Sequence, residues 1–293
     1  MPKISQERIK HLWTTSSIIG IAIIAIGIVL PLLGLYLFQS ILLFTAIFTP
    51  TDFFILGLLV IITPPATAYF VDSRWRNGID NNLPQLLRDV SDAQRTGLSL
   101  PRAILESAKR EYGPLTVELK KMAAKISWGV SFREAMQALS ETADTPLVQR
   151  ASVLILEAER FGGAAEDVFE SAHTHVVELL TIRKERMGQI RPYIFIIYAA
   201  FLVFLFVMIV LITTFFGPMS TQAGTGLFAM TLDIDYLNTI FLHMLVVEGF
   251  FGGLVAGKMG EGETLAGLKH STLLVALGWI IFRTVIILGI SLA

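Results

Sequence analysis

From Tyr193 to Phe216 the chain runs for 24 residues without a single Asp, Glu, Lys, Arg or His, and Ile18 to Phe38 does the same for 21. A helix needs roughly 20 residues to cross the ~30 Å hydrocarbon core of a bilayer, so each run is long enough to span it. Nothing else in the sequence constrains the fold as strongly. A backbone inside lipid must satisfy its own hydrogen bonds, which leaves helices or closed barrels. The runs are continuous rather than alternating, so helices are expected. Composition agrees: 54% of the 293 residues are hydrophobic and 16% are charged, against about 25% charged for an ordinary soluble domain. The first run is too long for a signal-peptide core and lacks a small-residue cleavage site before a polar segment, so it reads as a retained helix.

Five spans are expected, near 18–38, 53–71, 193–216, 236–257 and 271–292. The segments between and before them are 1–17, 39–52, 72–192, 217–235 and 258–270, and they hold 3, 0, 17, 0 and 2 Lys and Arg residues. The positive-inside rule then places the N-terminus, the long middle segment and the 258–270 loop in the cytoplasm, with the C-terminus outside. The second span carries Pro64 and Pro65, which neighbouring helices must accommodate. The apolar run Ile41 to Phe48 either extends the first helix or lies in the interface.

Residues 72–192 show helical spacing and no period-2 strand. Leu83, Leu86, Leu87 and Val90 form one apolar stripe; Leu115, Leu119, Met122 and Ile126 form a second; Leu147, Ala151, Leu154, Ile155 and Ala158 form a third. Each runs into a glycine: Gly97, Gly129, then Gly162 with Gly163, at intervals of 32 and 33 residues. Self-similarity at this period marks a repeated supersecondary unit. Glycine suits the left-handed residue that ends a helix, and start signals follow each time. Ser131 and Glu134 have capping-box spacing. Ser99 is placed to cap, with Pro101 in the first turn. Glu166 and Asp167 put negative charge at a helix start. The expected architecture is all-α: an N-terminal membrane region (1–71, two spans), a cytoplasmic six-helix bundle of three hairpins (72–192), and a C-terminal membrane region (193–293, three spans). The last bundle helix is expected to run toward Pro192 and meet the third span almost without a linker.

The stretches TGLSLPRAILESA, KKMAAKISWGVSFREAMQAL, LVQRASVLILEAERFGG and RPYIFIIYAAFLVF, in that order, resemble the F domain of type II secretion and type IV pilus systems. The likeness is greatest to archaeal platform proteins of archaella and archaeal pili. GGLVAGKMGEGETLAGLKHS, between two spans, resembles their C-terminal region. The resemblance covers roughly 80–290 and implies a non-enzymatic platform. Such a platform couples a cytoplasmic hexameric secretion ATPase to the extraction and assembly of pilin-like or archaellin subunits. Many members carry two F domains where this chain has one, as in the short members of tight-adherence systems. A homodimer, or a pair with a paralogue, is therefore expected.

No recognisable catalytic or cofactor motif stands out in the sequence; Ser, His and Asp are present, but without a nucleophile elbow. There is no cysteine, hence no disulfide and no thiolate metal site. No phosphate-cradling Walker loop is present. Gly257, Gly260, Gly262 and Gly267 are spaced wrongly for a dinucleotide fingerprint and read as a flexible cytoplasmic turn. His173 and His175 are two apart on a helix and diverge. Neither a metal nor a cofactor is expected, and the net charge of −1 gives no nucleic-acid signal. Arg74, Arg76, Arg183, Lys184, Arg186 and Arg191 flank the membrane and suit anionic membrane lipids. Charge within the bundle is uneven. Asp80 to Arg133 holds 9 basic and 6 acidic residues, and Glu134 to Val177 holds 2 and 8. The acidic half, with Glu157, Glu159, Glu166 and Asp167, is a candidate docking face for the ATPase, and the basic stretch at Lys120, Lys121 and Lys125 is the next. Within the spans, Glu248 and Arg283 are expected to form a polar pair, with His243 near it, because a lone charge in lipid is costly. The alternative function is a transporter or channel built on those three residues.

Overall fold

The computed structural model describes residues 6–32, 49–161, 165–221 and 234–288. Among them every regular element is helical and no strand occurs. In chain order the helices are α1 (Gln6–Leu32), α2 (Pro50–Arg95), α3 (Leu100–Ser107), α4 (Pro114–Ser127), α5 (Phe132–Ala143), α6 (Pro146–Phe161) and α7 (Ala165–Val210). A π-helical turn (Leu211–Phe216) continues α7 into α8 (Gly217–Thr221). Then come α9 (Ile234–Glu261), a 3-10 turn (Leu265–Gly267) and α10 (Leu268–Leu288). Five helices are long and apolar enough to cross a membrane: α1, α2, α7, α9 and α10. The run Ile41 to Phe48 lies outside the described residues, as do Gly162 and Gly163.

The chain divides into two compact units, Val71–Gly188 and Ser5–Phe70 with Gln189–Ala293; α2 and α7 contribute to both.

In the first unit six helical segments enclose one core. The predicted stripes supply it: Leu83, Leu87 and Val90 from α2, Leu115, Leu119 and Met122 from α4, and Leu147, Ala151 and Ile155 from α6 are all buried. Phe132, Ala135 and Met136 of α5 and Phe169, Ala172 and Val176 of α7 close it. Each fully buried side chain of this size contributes about 1.5–3 kcal/mol. Leu154 is the exception, 44% exposed. It follows Val153, also exposed, on the outer side of a helix whose inner side is already filled by Ala151 and Ile155.

Gly97 and Gly129 turn the chain with φ of +86° and +89°, the left-handed values glycine adopts without a Cβ penalty. Two further corners carry no repeat signature. Gly113 (φ +56°) precedes Pro114, and Asp144 (φ +50°) ends α5. Thr145 then caps α6, its hydroxyl accepting from Val148 N at 3.2 Å, with Pro146 opening the helix. Ser131 accepts from Glu134 N at 3.3 Å, as its spacing predicts. The Ser99 hydroxyl makes no cap bond. Pro101 sits where a capping hydroxyl would find one of its two donors, and it has no N–H.

The corners sort to two ends. Pro114 lies against Gly78, where an added Cβ would come within 2.8 Å of its ring. Arg76 donates to Asp144 O at 2.5 Å. Gly113 and Asp144 thus sit at the end where Val71 enters the unit. Gly97 and Gly129 lie at the other end, where Arg95 pairs with Glu170.

In the second unit, Ile55 of α2, Phe201, Leu205 and Ile209 of α7, Leu242 and Leu245 of α9 and Leu274, Val275 and Phe282 of α10 share a core. α1 packs on α2 through small residues: a Cβ on Gly20 would meet Gly57 O at 2.6 Å, and one on Gly57 would meet Gly20 O at 2.7 Å. Pro64 and Pro65 do not break α2. Pro65 leaves the carbonyl of Ile61 without its helical donor, and the buried hydroxyl of Ser16 on α1 lies 3.4 Å from it. This is the accommodation that allows proline in a spanning helix.

Candidate functional site

Two features of the membrane unit stand out chemically: a glycine seam and a buried ion pair. Gly249, Gly253 and Gly257 recur every four residues on one face of α9 and meet the start of α10. A Cβ at Gly253 would overlap the backbone of Ser271, and one at Gly257 the backbone of Gly267. The Ser271 hydroxyl donates to Phe250 O at 2.7 Å across the same contact. Between lipid-embedded helices there is no hydrophobic drive to associate, and close backbone approach takes its place. The expected flexible glycine turn is therefore corrected. Gly257 and Gly260 belong to α9, Gly257 and Gly267 are packed backbone to backbone, and Gly262 alone of the four carries a corner, at φ +80°.

The seam fixes the register of α9 on α10. Gly249 faces Val275, Gly253 faces Ser271 and Gly257 faces Gly267. By that register Arg283 falls about seven residues, roughly 10 Å, from the level of Glu248. The expected Glu248–Arg283 pair is not formed. Arg283 instead binds Asp52, in the first turn of α2, through Nε at 2.8 Å and through Nη2. Glu248 is left with a buried oxygen, Oε2, that has no hydrogen-bond partner. His243 packs edge-on against Phe54, ring centroids 6.4 Å apart, not against Arg283.

Asp52 is fully buried and saturated with donors. Besides Arg283 it accepts from Trp279 Nε1 at 2.8 Å, Thr49 N at 2.7 Å and Thr49 Oγ1 at 2.8 Å. The stretch Thr49-Pro-Thr-Asp52 is itself a helix start: the carboxylate reaches back to the N–H of the residue before α2, with Pro50 in the first position. One side chain thus caps α2 and clamps α10. A buried charge pair is tolerable only when its remaining valences are filled, and both oxygens of Asp52 have their donors.

The α9–α10 corner has its own polar set. Tyr69 binds Glu263, Lys269 binds Glu261 and stands 5.1 Å over the Phe70 ring, and Tyr198 Oη lies 2.6 Å from His270 Nδ1.

In the bundle, the candidate docking carboxylates are not equivalent. Glu157 and Asp167 are exposed, Glu159 lies 3.8 Å from Arg133, and the side chain of Glu166 lies outside the described residues. Arg76 and Arg183 are engaged within the bundle, by Asp72 (2.8 Å) and Asp80 (3.1 Å), while Arg74, Lys184, Arg186 and Arg191 are exposed. Tyr112 is buried and donates to Asp89 at 2.6 Å; burial first, and then that carboxylate, push its phenol up. His173 Nδ1 lies 2.8 Å from Pro84 O, a bond between α7 and α2. No group of three or more potential metal ligands occurs among the described residues.

The sequence held signals for what was missed. Gly249, Gly253 and Gly257 are a small-xxx-small repeat, Gly113-Pro114 and Asp144-Thr-Pro146 are turn signatures, and Thr49 to Asp52 has capping spacing.

Comparison with known proteins finds a similarity that covers most of the bundle. Residues 86–213 match the family described as type II secretion system (T2SS), protein F. An uncharacterized protein of Methanocaldococcus jannaschii is 26% identical over 240 residues, which cover 80% of this chain and 39% of that protein. No solved structure matches the chain at a significant level. The match to type II secretion system protein F runs from Leu86 in α2 to Thr213 in the π-helical turn.

Proposed function

We propose that this protein is the membrane platform of a type IV pilus-like or archaellum assembly machine. It couples a cytoplasmic hexameric secretion ATPase to extraction of pilin-like or archaellin subunits from the membrane and their addition to a filament. The observation that carries this reading is the match to protein F at 86–213 in a chain with five helices able to span a membrane. The role fits a non-enzymatic protein: its work is docking and transmission, without a cofactor. The bundle faces the cytoplasm, as its 17 Lys and Arg residues between 72 and 192 favour, and the C-terminus is outside. In this reading the protein works as a homodimer or beside a paralogue.

The ATPase docks on the bundle, and its acidic half contributes through Glu157, Glu159, Glu166 and Asp167. Full-length protein in detergent, mixed with the purified ATPase at low salt, tests this. Reversing the four carboxylates to lysine weakens co-purification; unchanged binding by a folded variant moves the contact elsewhere on the bundle.

A further inference from the structure

The outer face of α4 combines exposed apolar and basic side chains. Val117, Lys121, Ala124 and Trp128 fall at intervals of three and four and form one line along the helix, flanked by Lys120 and Lys125. The opposite face, with Leu115, Leu119 and Met122, is buried. Trp128 is 82% exposed and Val117 57%. A tryptophan left this bare forgoes a large burial gain, and tryptophan is the residue most enriched among the anchors of protein interfaces. It stands at the very corner, between the end of α4 and Gly129, where nothing lies within 4 Å of a Cβ added to the glycine.

The charges beside it are available. Lys121 is held by Glu118 at 2.8 Å, but among the described residues no carboxylate pairs with Lys120 or Lys125. The two exposed apolar side chains are 11 residues apart, roughly 16 Å along the helix, and the exposed charge between them is that of Lys120, Lys121 and Lys125, the carboxylate of Glu118 being buried against Lys121. The stripe ends at the glycine-corner end of the bundle, remote from Val71 and Gly188, where the chain enters and leaves. A bare tryptophan beside unpaired lysines suits an acidic protein face.

We infer that the α4 stripe, anchored by Trp128 and carrying Lys120, Lys121 and Lys125, is a docking surface for an acidic protein face with a pocket for one aromatic side chain. It is a second contact, of opposite charge to the Glu157 face. The identity of the partner rests on the function proposed above, in which it is the secretion ATPase.

The test uses the full chain in phosphatidylcholine nanodiscs and the purified hexameric ATPase of the same organism. Acrylamide quenching of tryptophan fluorescence, read as the difference between wild type and Trp128→Phe, reports Trp128 alone. The ATPase is expected to shield Trp128. Trp128→Ala, and separately the triple change Lys120→Glu, Lys121→Glu, Lys125→Glu, are expected to weaken binding at least about tenfold with circular dichroism unchanged. Binding that leaves Trp128 as quenchable as before, or that both variants retain, overturns the surface while the platform reading stands. No binding by wild type overturns both. Shielding by phosphatidylglycerol vesicles but not by the ATPase makes a lipid the occupant and overturns the inference.

Discussion

The bundle and the membrane unit use glycine for opposite reasons. At Gly97 and Gly129 the backbone takes a left-handed turn and the space where a side chain would go is empty. At Gly253 and Gly257 the backbone is ordinary helix, and the space is filled by another helix. The first pair buys conformation, the second proximity. The reason is the solvent. In water the bundle is held by burying its apolar stripes, and its corners need only let the chain turn. In lipid, burial between helices yields nothing, so contact must come from close approach and from polar groups that have no alternative partner. The same contrast separates the ion pairs. Arg95 and Glu170 pair at the bundle surface, each half exposed, while Asp52 is fully buried where it meets Arg283, which is itself mostly buried.

The largest expected effect is at Asp52. Asp52→Ala removes the carboxylate that pairs with the largely buried Arg283 guanidinium and the α2 cap, and should destabilise the membrane unit by about 3–5 kcal/mol. Arg95→Ala in the bundle should cost no more than about 1 kcal/mol. Thermal unfolding in a single detergent, followed by circular dichroism, measures both, and equal losses would break the comparison. Asp52→Ala combined with Arg283→Leu should recover part of the loss. Glu248→Ala, which removes an unsatisfied oxygen rather than a paired one, should be close to neutral.

Next come the glycines. Gly253→Ala forces α9 and α10 apart and should cost about 1–3 kcal/mol or more. Gly129→Ala meets no neighbour and pays only for its φ, about 1 kcal/mol. The ratio sharpens the argument further than either value, because both changes add the same methyl group. The smallest effect separates two serines with the same expected role. Ser131→Ala should cost about 1 kcal/mol, while Ser99→Ala, with no cap bond to lose, should leave the melting temperature unchanged.

That last pair also shows where the sequence is legible. The bundle could be read because water makes burial periodic: Leu83, Leu87 and Val90 announce a face by their spacing against polar neighbours. In the spans nearly every residue is apolar, and hydrophobicity no longer tells an inner face from a lipid-facing one. Small residues carry that information, and Gly249, Gly253 and Gly257 were present in the sequence as such. The partner of Arg283 was harder to find. Consecutive spans suggested Glu248, but the glycine contact sets a register that holds the two at different depths, and the true partner lies in a helix more than two hundred residues earlier. Ser99 failed for a local reason, the proline two positions on, which is visible in the sequence once the donors are counted.

The central claim is that this chain is the membrane platform on which a filament is assembled. Its most direct test is a strain lacking the gene, with surface filaments counted by negative-stain electron microscopy and pilin-like subunits followed by immunoblot of membrane fractions. The account predicts a bald surface with processed subunits retained in the membrane, restored by the wild-type gene and not by Asp52→Ala. Filaments in normal number on the deletion strain would contradict it.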